Sequence, residues 1–434
     1  MQNVIRDLRE VTIDEENELI FEKNVSIPIP GTDLPIRANV YRPNNSLTRT
    51  PVIVTYGPYG KDIWYGDFHA KSYSEVDQSQ KSKYAAWETP EPVYWTKNGY
   101  AIVRADERGL GQSPGVLDTM SRGTSDAFFH VIEWAASEPW SSGKVGLLGV
   151  SYYAGSQWRV AARRPKGLEA IIPWEGMSDY YRDRCRHGGI FSNGFIKYRW
   201  NRQVITNQYG RPDRASSRWG DNTLEGDLSP EALAENRRDQ NVDNAANRYL
   251  DDKYYSKRDF NLQDIKVPLL SVANWGGITL HLRGNVEGYI WAGSKQKWLR
   301  FVTGRHDLPF FYARQTELQR SFLDAFLKGD DWAGWSTGGM PKVSLTLRKG
   351  DKGVKDAEAE REWETRAENE WPLARTTYQK WFLTPDKALT PAAPRDCALI
   401  SYKALGTMSS PELVLFCTAP FEAETEITVI SPRT

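Results

Sequence analysis

Short apolar runs alternate with stretches of helical period between residues 51 and 327. The runs at 51–56, 99–106, 145–150, 168–174, 267–273 and 298–303 are rich in Val, Ile, Leu and Ala and too short for helices, which predicts strands buried on both faces. Between them, Phe128, Val131, Ile132 and Ala135 share one face of a predicted helix at 126–136. Further helices are predicted at 152–164, around 284–292 and at 312–327. Strand and helix alternating in this order imply a parallel sheet with helices on both faces. Upstream, the alternating residues 24–41, broken at Pro30-Gly31-Thr32-Asp33, predict an antiparallel hairpin. Residues 1–20, charged and weakly patterned, are expected to form a short helix or an ordered arm, and residues 63–92 an irregular excursion. Residues 178–264, rich in Arg, Asp, Asn, Tyr and Trp, read as short helices inserted at the carboxyl edge of the sheet, where they would roof a site. From residue 341 the pattern turns to short alternating runs, such as 342–347, 377–383 and 412–418. That predicts an all-β domain of roughly five or six strands, fewer than the eight of a full jelly roll. The expected organisation is a core of 1–177 and 265–340, a helical cap at 178–264 and a β domain at 341–434.

The 434 residues carry 56 Lys+Arg against 56 Asp+Glu, so nothing steers the chain toward nucleic acid or an anionic membrane. Cys185, Cys397 and Cys417 form neither a disulfide framework nor a zinc pattern, which points to a reducing compartment. The charged start Met1-Gln2-Asn3-Val4-Ile5-Arg6-Asp7 does not read as a signal peptide, and no apolar run reaches the ~20 residues of a membrane span. A soluble, cytoplasmic protein is expected. The 17 Trp and 21 Tyr suggest aromatic-lined clefts beside ordinary cores.

The stretch from Lys144 to Trp158 organises the rest. An apolar strand ends at Gly149-Val150, Ser151 falls on a tight turn, and Tyr152 begins a helix. Such an elbow holds a serine oxygen at the carboxyl end of a sheet beside the next residue's amide, the arrangement acyl transfer needs, although Tyr153 stands where glycine is usual. Gly-x-Ser alone is equally compatible with an ordinary strand-to-helix turn. Two other loops follow strand ends: Gly57-Pro58-Tyr59-Gly60-Lys61-Asp62 and residues 107–115, whose three glycines lack the spacing of a phosphate loop and read as a turn pinned by Asp106 and Arg108.

Taken together, Pro58-Tyr59-Gly60-Lys61, the run from Asp106 to Gly115, Gly149-Val150-Ser151-Tyr152 with Gln157-Trp158, the segment 322–329 and Pro341-Lys342-Val343 resemble the cocaine esterase family of serine hydrolases, relatives of Xaa-Pro dipeptidyl peptidases. The resemblance spans residues 21–428 and implies an α/β-hydrolase sheet, a helical cap and a C-terminal jelly-roll-like domain, here apparently shortened. It also implies that Ser151 is the nucleophile, that the amide of Tyr152 and the hydroxyl of Tyr59 are oxyanion donors, and that His306 is the general base. In the family a large residue commonly stands at the position of Tyr153, and Ala154 replaces a usual glycine. No metal or organic cofactor is implied.

One member is missing. Where the family has an aspartate within Gly-Trp-Tyr-Asp, this chain has Asn274-Trp275-Gly276-Gly277. Glu175, at the end of the neighbouring strand, is the expected replacement, since adjacent strand ends reach the same histidine. Asp179, or a Ser-His dyad oriented by Asn274, are the alternatives. Trp174, Trp275 and His281 are the expected substrate contacts, with a helix-start hydrogen bond as the competing role of His281. The function expected is an acyl hydrolase cleaving an ester, amide or lactone of a bulky, aromatic small molecule. An acyltransferase, lactone-forming cyclase or lyase on the same site, and a non-catalytic binding protein, are the other readings. The shortened β domain predicts an apolar face covered by a second copy, a homodimer.

Overall fold

The computed structural model describes residues 8–44, 48–209, 229–348, 363–402, 410 and 412–427. The chain divides into two units, Met1–Asn369 and Glu370–Thr434. The first is built on a sheet of eleven strands. Three strands, β1 (Glu10–Asp14), β2 (Leu19–Ile27) and β3 (Ile36–Pro43), form an antiparallel meander, so the segment expected to be a helix or arm is a strand. The central strands follow: β4 (Thr50–Gly57), β5 (Ala101–Asp106), β6 (Ser141–Val150) and β7 (Leu168–Trp174). Among the described residues of the cap, the strands are one two-residue pair, β8 (Arg186–His187) and β9 (Ile190–Phe191). Then β10 (Leu269–Asn274), β11 (Lys297–Val302), β12 (Val343–Thr346) and β13 (Thr365–Glu368) complete the sheet.

The order is β1-β2-β3-β5-β4-β6-β7-β10-β11-β12-β13. Every pairing from β5 through β12 is parallel. These strands are apolar without alternation because both of their faces are covered. Val52, Val54, Val145, Leu147 and Ile171 pack with one cluster, while Ile53, Leu148, Val150, Ile172 and Val272 pack with another. Three short helices, α1 (Tyr65–Phe68), α2 (Ala70–Glu75) and α3 (Pro92–Lys97), bracket the aromatic excursion after β4. Helix α4 (Arg122–Ser137) is capped by Ser121, whose side chain accepts from the Thr124 amide at 3.3 Å, and buries the predicted face of Phe128, Val131, Ile132 and Ala135. Helix α5 (Tyr152–Ala161) is wholly buried.

The cap holds a π-helical turn, Tyr180–Cys185, and the helices α6 (Phe195–Arg199), α7 (Pro230–Glu235), α8 (Gln240–Ala246) and α9 (Lys253–Ser256). Helix α10 (Leu282–Trp291) packs on β10, and α11 (Ala313–Leu323) runs into a π-helical turn closed by left-handed Gly329. In the second unit the described residues form one two-stranded ladder, β14 (Phe382–Leu383) with β15 (Leu389–Thr390), and a bridge from Ala388 to Cys417. The predicted strand at 342–347 thus extends the main sheet, and the run 412–418 makes only that bridge. Among the described residues no helix is long and apolar enough to cross a membrane.

Helix α10 is fixed to the sheet through Asn285, whose Nδ2 donates to the Pro173 carbonyl at 2.8 Å and to Ser271 Oγ at 2.9 Å and whose Oδ1 accepts from the Gly176 amide at 2.7 Å. Close approach there demands Gly284: a Cβ would lie 2.5 Å from the Ser178 nitrogen and 2.7 Å from Met177 Cα. Overpacking of this kind costs about 1–3 kcal/mol. Gly284→Ala is expected to lower the unfolding free energy by that amount, read as a fall in the urea midpoint without a change in the slope of the transition.

Candidate active site

The carboxyl ends of β4, β6, β7, β10 and β11 open onto one region, and each supplies a polar residue to it. At the end of β6, Ser151 adopts φ 62° and ψ −114°, a left-handed conformation rare for a residue with a Cβ. Two neighbours hold it there: the Ser151 amide donates to the Trp174 carbonyl at 3.0 Å, and the Val150 amide donates to the Glu88 carbonyl at 3.1 Å. Gly149 permits the turn, since a Cβ there would come within 2.6 Å of Tyr153 Cβ. Although Ser151 is the N-cap of α5, its side chain makes no cap bond. Its Oγ instead lies 3.2 Å from His281 Nε2.

His281 is buried at the start of α10 and makes no cap bond, so the helix-start role expected for it is corrected. Its Nδ1 has no hydrogen-bond partner among the described residues. The ring of His306 stacks on it, 5.1 Å between centroids and 12° between planes. His306 Nδ1 is 2.7 Å from Glu175 Oε2, and its Nε2 is 3.0 Å from Glu88 Oε1. Glu175 and Glu88 are both fully buried with positive φ. Burial pushes the Glu88 carboxyl up to about 7, against the pull of the His306 charge. On His306, burial opposes protonation, but Glu175 and then Glu88 outweigh it and hold the ring well above the ordinary histidine value. His281 is held well below it, first by burial and then by the charge of His306. The two rings are thus shifted in opposite directions, His306 toward its charged form and His281 toward its neutral form.

Asn274 braces this arrangement. Its Nδ2 donates to Glu175 Oε1 at 2.9 Å and to the Gly304 carbonyl at 3.0 Å, while its Oδ1 accepts from the Gly276 amide at 2.8 Å. The Asn274-oriented dyad is thus not what forms, because Asn274 bonds Glu175 rather than a histidine. Asp179 is spent on Arg182, accepting from its amide and its Nη1, each at 2.8 Å. A Cβ on Gly277 would sit 3.5 Å from Glu175 Oε2, so Gly277 and the Glu175 carboxylate adjoin. The loop after His306 is anchored by Asp307, which accepts from Trp87 Nε1 at 3.1 Å and from the Ser72 hydroxyl.

Tyr59 is 3% exposed, and its hydroxyl oxygen accepts from Arg199 Nε at 3.0 Å and Nη2 at 2.7 Å. Burial raises this phenol to about 12, with Arg199 pulling the other way. The Tyr152 hydroxyl donates to Glu107 Oε1 at 2.9 Å and accepts from the Met120 amide at 3.2 Å. Trp174 is fully buried, edge-on to Phe310 at 5.5 Å. Trp275 stacks on Phe301 at 4.9 Å and donates to the Thr346 carbonyl at 2.8 Å, so its ring is engaged by β11 and β12 rather than by the nucleophile. Glu88 and Arg199 were not foreseen; Glu88 lies between Trp87 and Thr89 in the aromatic excursion, and Arg199 is one of many arginines in the cap.

Residues 32–306 match the model of the X-Pro dipeptidyl-peptidase (S15 family), and residues 334–428 that of the X-Pro dipeptidyl-peptidase C-terminal non-catalytic domain. The chain belongs to this S15 family. Cocaine esterase of Rhodococcus sp. (strain MB1 Bresler) is 27% identical over 399 residues, covering 83% of this chain and 62% of the esterase. A putative Xaa-Pro dipeptidyl-peptidase of Bacillus anthracis is 25% identical over 218 residues, 45% of this chain and 34% of that one. A CocE/NonD family hydrolase from Staphylococcus aureus superimposes with a TM-score of 0.70 at 30% identity, covering 86% of this chain and 60% of that structure. The chain thus spans less than two thirds of the length of these relatives. The S15 member described here is an α/β hydrolase by fold and sits among serine hydrolases.

Nitrogen-15 NMR at neutral pH is expected to show both ring nitrogens of His306 protonated and His281 as a neutral tautomer; a neutral His306 contradicts the electrostatics.

Proposed function

We propose that this S15 member is a serine-dependent acyl hydrolase that cleaves an ester, amide or lactone of a bulky small molecule through an acyl-enzyme. The observation that carries the reading is the 3.2 Å contact between the oxygen of the strained Ser151 and an imidazole nitrogen. Ser151 Oγ bonds to the scissile carbonyl carbon while its proton passes to His281 Nε2, and the carbonyl oxygen becomes an oxyanion. The Tyr152 amide, free of an intrahelical acceptor at the first turn of α5, and the Tyr59 hydroxyl receive that charge. Arg199 occupies the lone pairs of Tyr59 with two N–H groups, which leaves the phenolic hydrogen to be donated elsewhere. Collapse breaks the bond to the leaving group, which takes the proton from His281. Water then loses a proton to His281 and attacks the acyl carbon, and as the bond from that carbon to Ser151 Oγ breaks, His281 returns the proton to Oγ, releasing the acid and restoring the free serine.

A second reading makes His306, oriented by Glu175, the base. It is favoured by the 2.7 Å bond between them and by the place of His306 after β11. An acyltransferase, cyclase or lyase is the alternative chemistry for the same site: Glu175 supplies a carboxylate to His306, whereas the Nδ1 of His281 has none among the described residues. Cytoplasmic location and a homodimer remain part of the proposal from the sequence.

A fluorophosphonate probe is expected to label wild-type protein at Ser151 and to leave Ser151→Ala unlabelled, with ester hydrolysis falling by about 10³-fold or more in that variant; equal turnover by Ser151→Ala overturns covalent catalysis. The base must be neutral to act, so the acidic limb of kcat/KM follows its pKa. With His281 as base the limb lies below 6.5, the ordinary value from which His281 is depressed. With His306 as base it lies above 6.5, because the two carboxylates stabilise the inactive charged form.

A further inference from the structure

Two arginines of the cap, Arg184 in the turn Tyr180–Cys185 and Arg199 at the end of α6, are buried to 2% and 3% exposure. Both guanidiniums lie against the ring of Tyr152, the residue after Ser151, at 6.0 Å for Arg184 and 5.2 Å for Arg199. Arg199 also covers the Tyr59 ring at 5.0 Å and bonds its hydroxyl. Arg184 has one hydrogen bond, from Nη2 to Gln240 Oε1 at 3.3 Å, and its buried Nε has no partner among the described residues. Neither arginine has a carboxylate within ion-pair distance among those residues. Other arginines do: Arg258 of the cap pairs with Asp118, and Arg283 of α10 pairs with Asp183 at 2.6 Å.

The carboxyl groups nearby do not fill the role. Glu107 accepts from the Tyr152 hydroxyl, and burial pushes its carboxyl up to about 8 against the pull of that hydrogen bond and of the Arg199 charge, which weakens it as a counter-charge. Glu175 gives its oxygens to His306 and Asn274. Glu88, which does feel the charge of Arg199, bonds His306. A guanidinium stays charged in a protein, and a buried charge without its counter-charge is unfavourable. The imidazolium of His306 adds to the same sign.

We infer that Arg184 and Arg199 form an anion subsite beside the nucleophile, and that the substrate is an acyl compound bearing a carboxylate a few bonds from the carbonyl that is cleaved. The inference takes from the proposed function only which bond is cut; the charge preference is a property of binding. A carboxylate bridging the two guanidiniums would complete their pairing and sit over Tyr152, with the acyl carbon at Ser151. Arg199 then holds the substrate charge on one side and Tyr59 on the other.

The test uses the full chain with Ser151→Ala, so that binding is read without turnover, by calorimetric titration with monomethyl glutarate, dimethyl glutarate and methyl 4-aminobutyrate. The anionic monoester is expected to bind at least tenfold more tightly than the neutral diester, with the cationic ester weakest. Adding Arg184→Gln should reduce the anion's advantage by roughly tenfold, and Arg184→Lys, which keeps the charge, should restore part of it. Equal or better binding of the neutral or cationic ester, no binding of the anionic one, or an advantage that survives Arg184→Gln overturns the subsite. Should the glutamine variant fail to fold, the preference measured in the Ser151→Ala chain and its response to Arg184→Lys decide. Failure of Ser151 labelling would strike the hydrolase reading and leave these titrations meaningful.

Discussion

A carboxylate wholly removed from solvent must be matched by positive charge or by hydrogen bonds, and Glu175 is matched by both. One oxygen faces His306 and the other accepts from Asn274, while its own amide is bonded to the Val272 carbonyl of β10 at 2.8 Å. Three strand ends, β7, β10 and β11, are thereby held in one register around a buried charge. The histidine pair depends on this. Without Glu175, His306 would have Glu88 alone as counter-charge, and the neutral state of His281 beside it would lose part of its cause. The strained serine depends on the same strand, because its amide is bonded to the last carbonyl of β7.

Much of this was legible in the residues. Continuous apolar runs found the parallel strands, since full burial on both faces removes alternation. Phe128, Val131, Ile132 and Ala135 found α4. Glu175 was read from the closeness of neighbouring strand ends and His306 from the family resemblance, and the two are bonded across the end of β10. The contact of Ser151 with His281 was not legible, because it depends on how the loop between Asn274 and α10 closes. Neither was Glu88, whose role comes from a main-chain bond to Val150 and a buried side chain, with no local pattern to mark it. Residues 342–347, read as opening the β domain, pair with β11 of the main sheet, because a strand at the edge of a sheet has the same alternation wherever it pairs.

The excursion after β4, unpatterned in sequence, supplies much of the wall behind the site. Trp87 packs on Tyr59 at 5.0 Å and on Phe68 at 4.9 Å, and its indole bonds the residue after His306. A stretch without periodicity is thus held by aromatic edges and faces as well as by its short helices.

Gly277 ties these features together. With no side chain there, Glu175 has room beside the turn as it reaches His306, and the backbone carbonyl of Gly277 accepts the amide of His281 at 2.9 Å. One bare position thus leaves space for a carboxylate on one side and, through main chain alone, sets where a second ring meets the serine on the other.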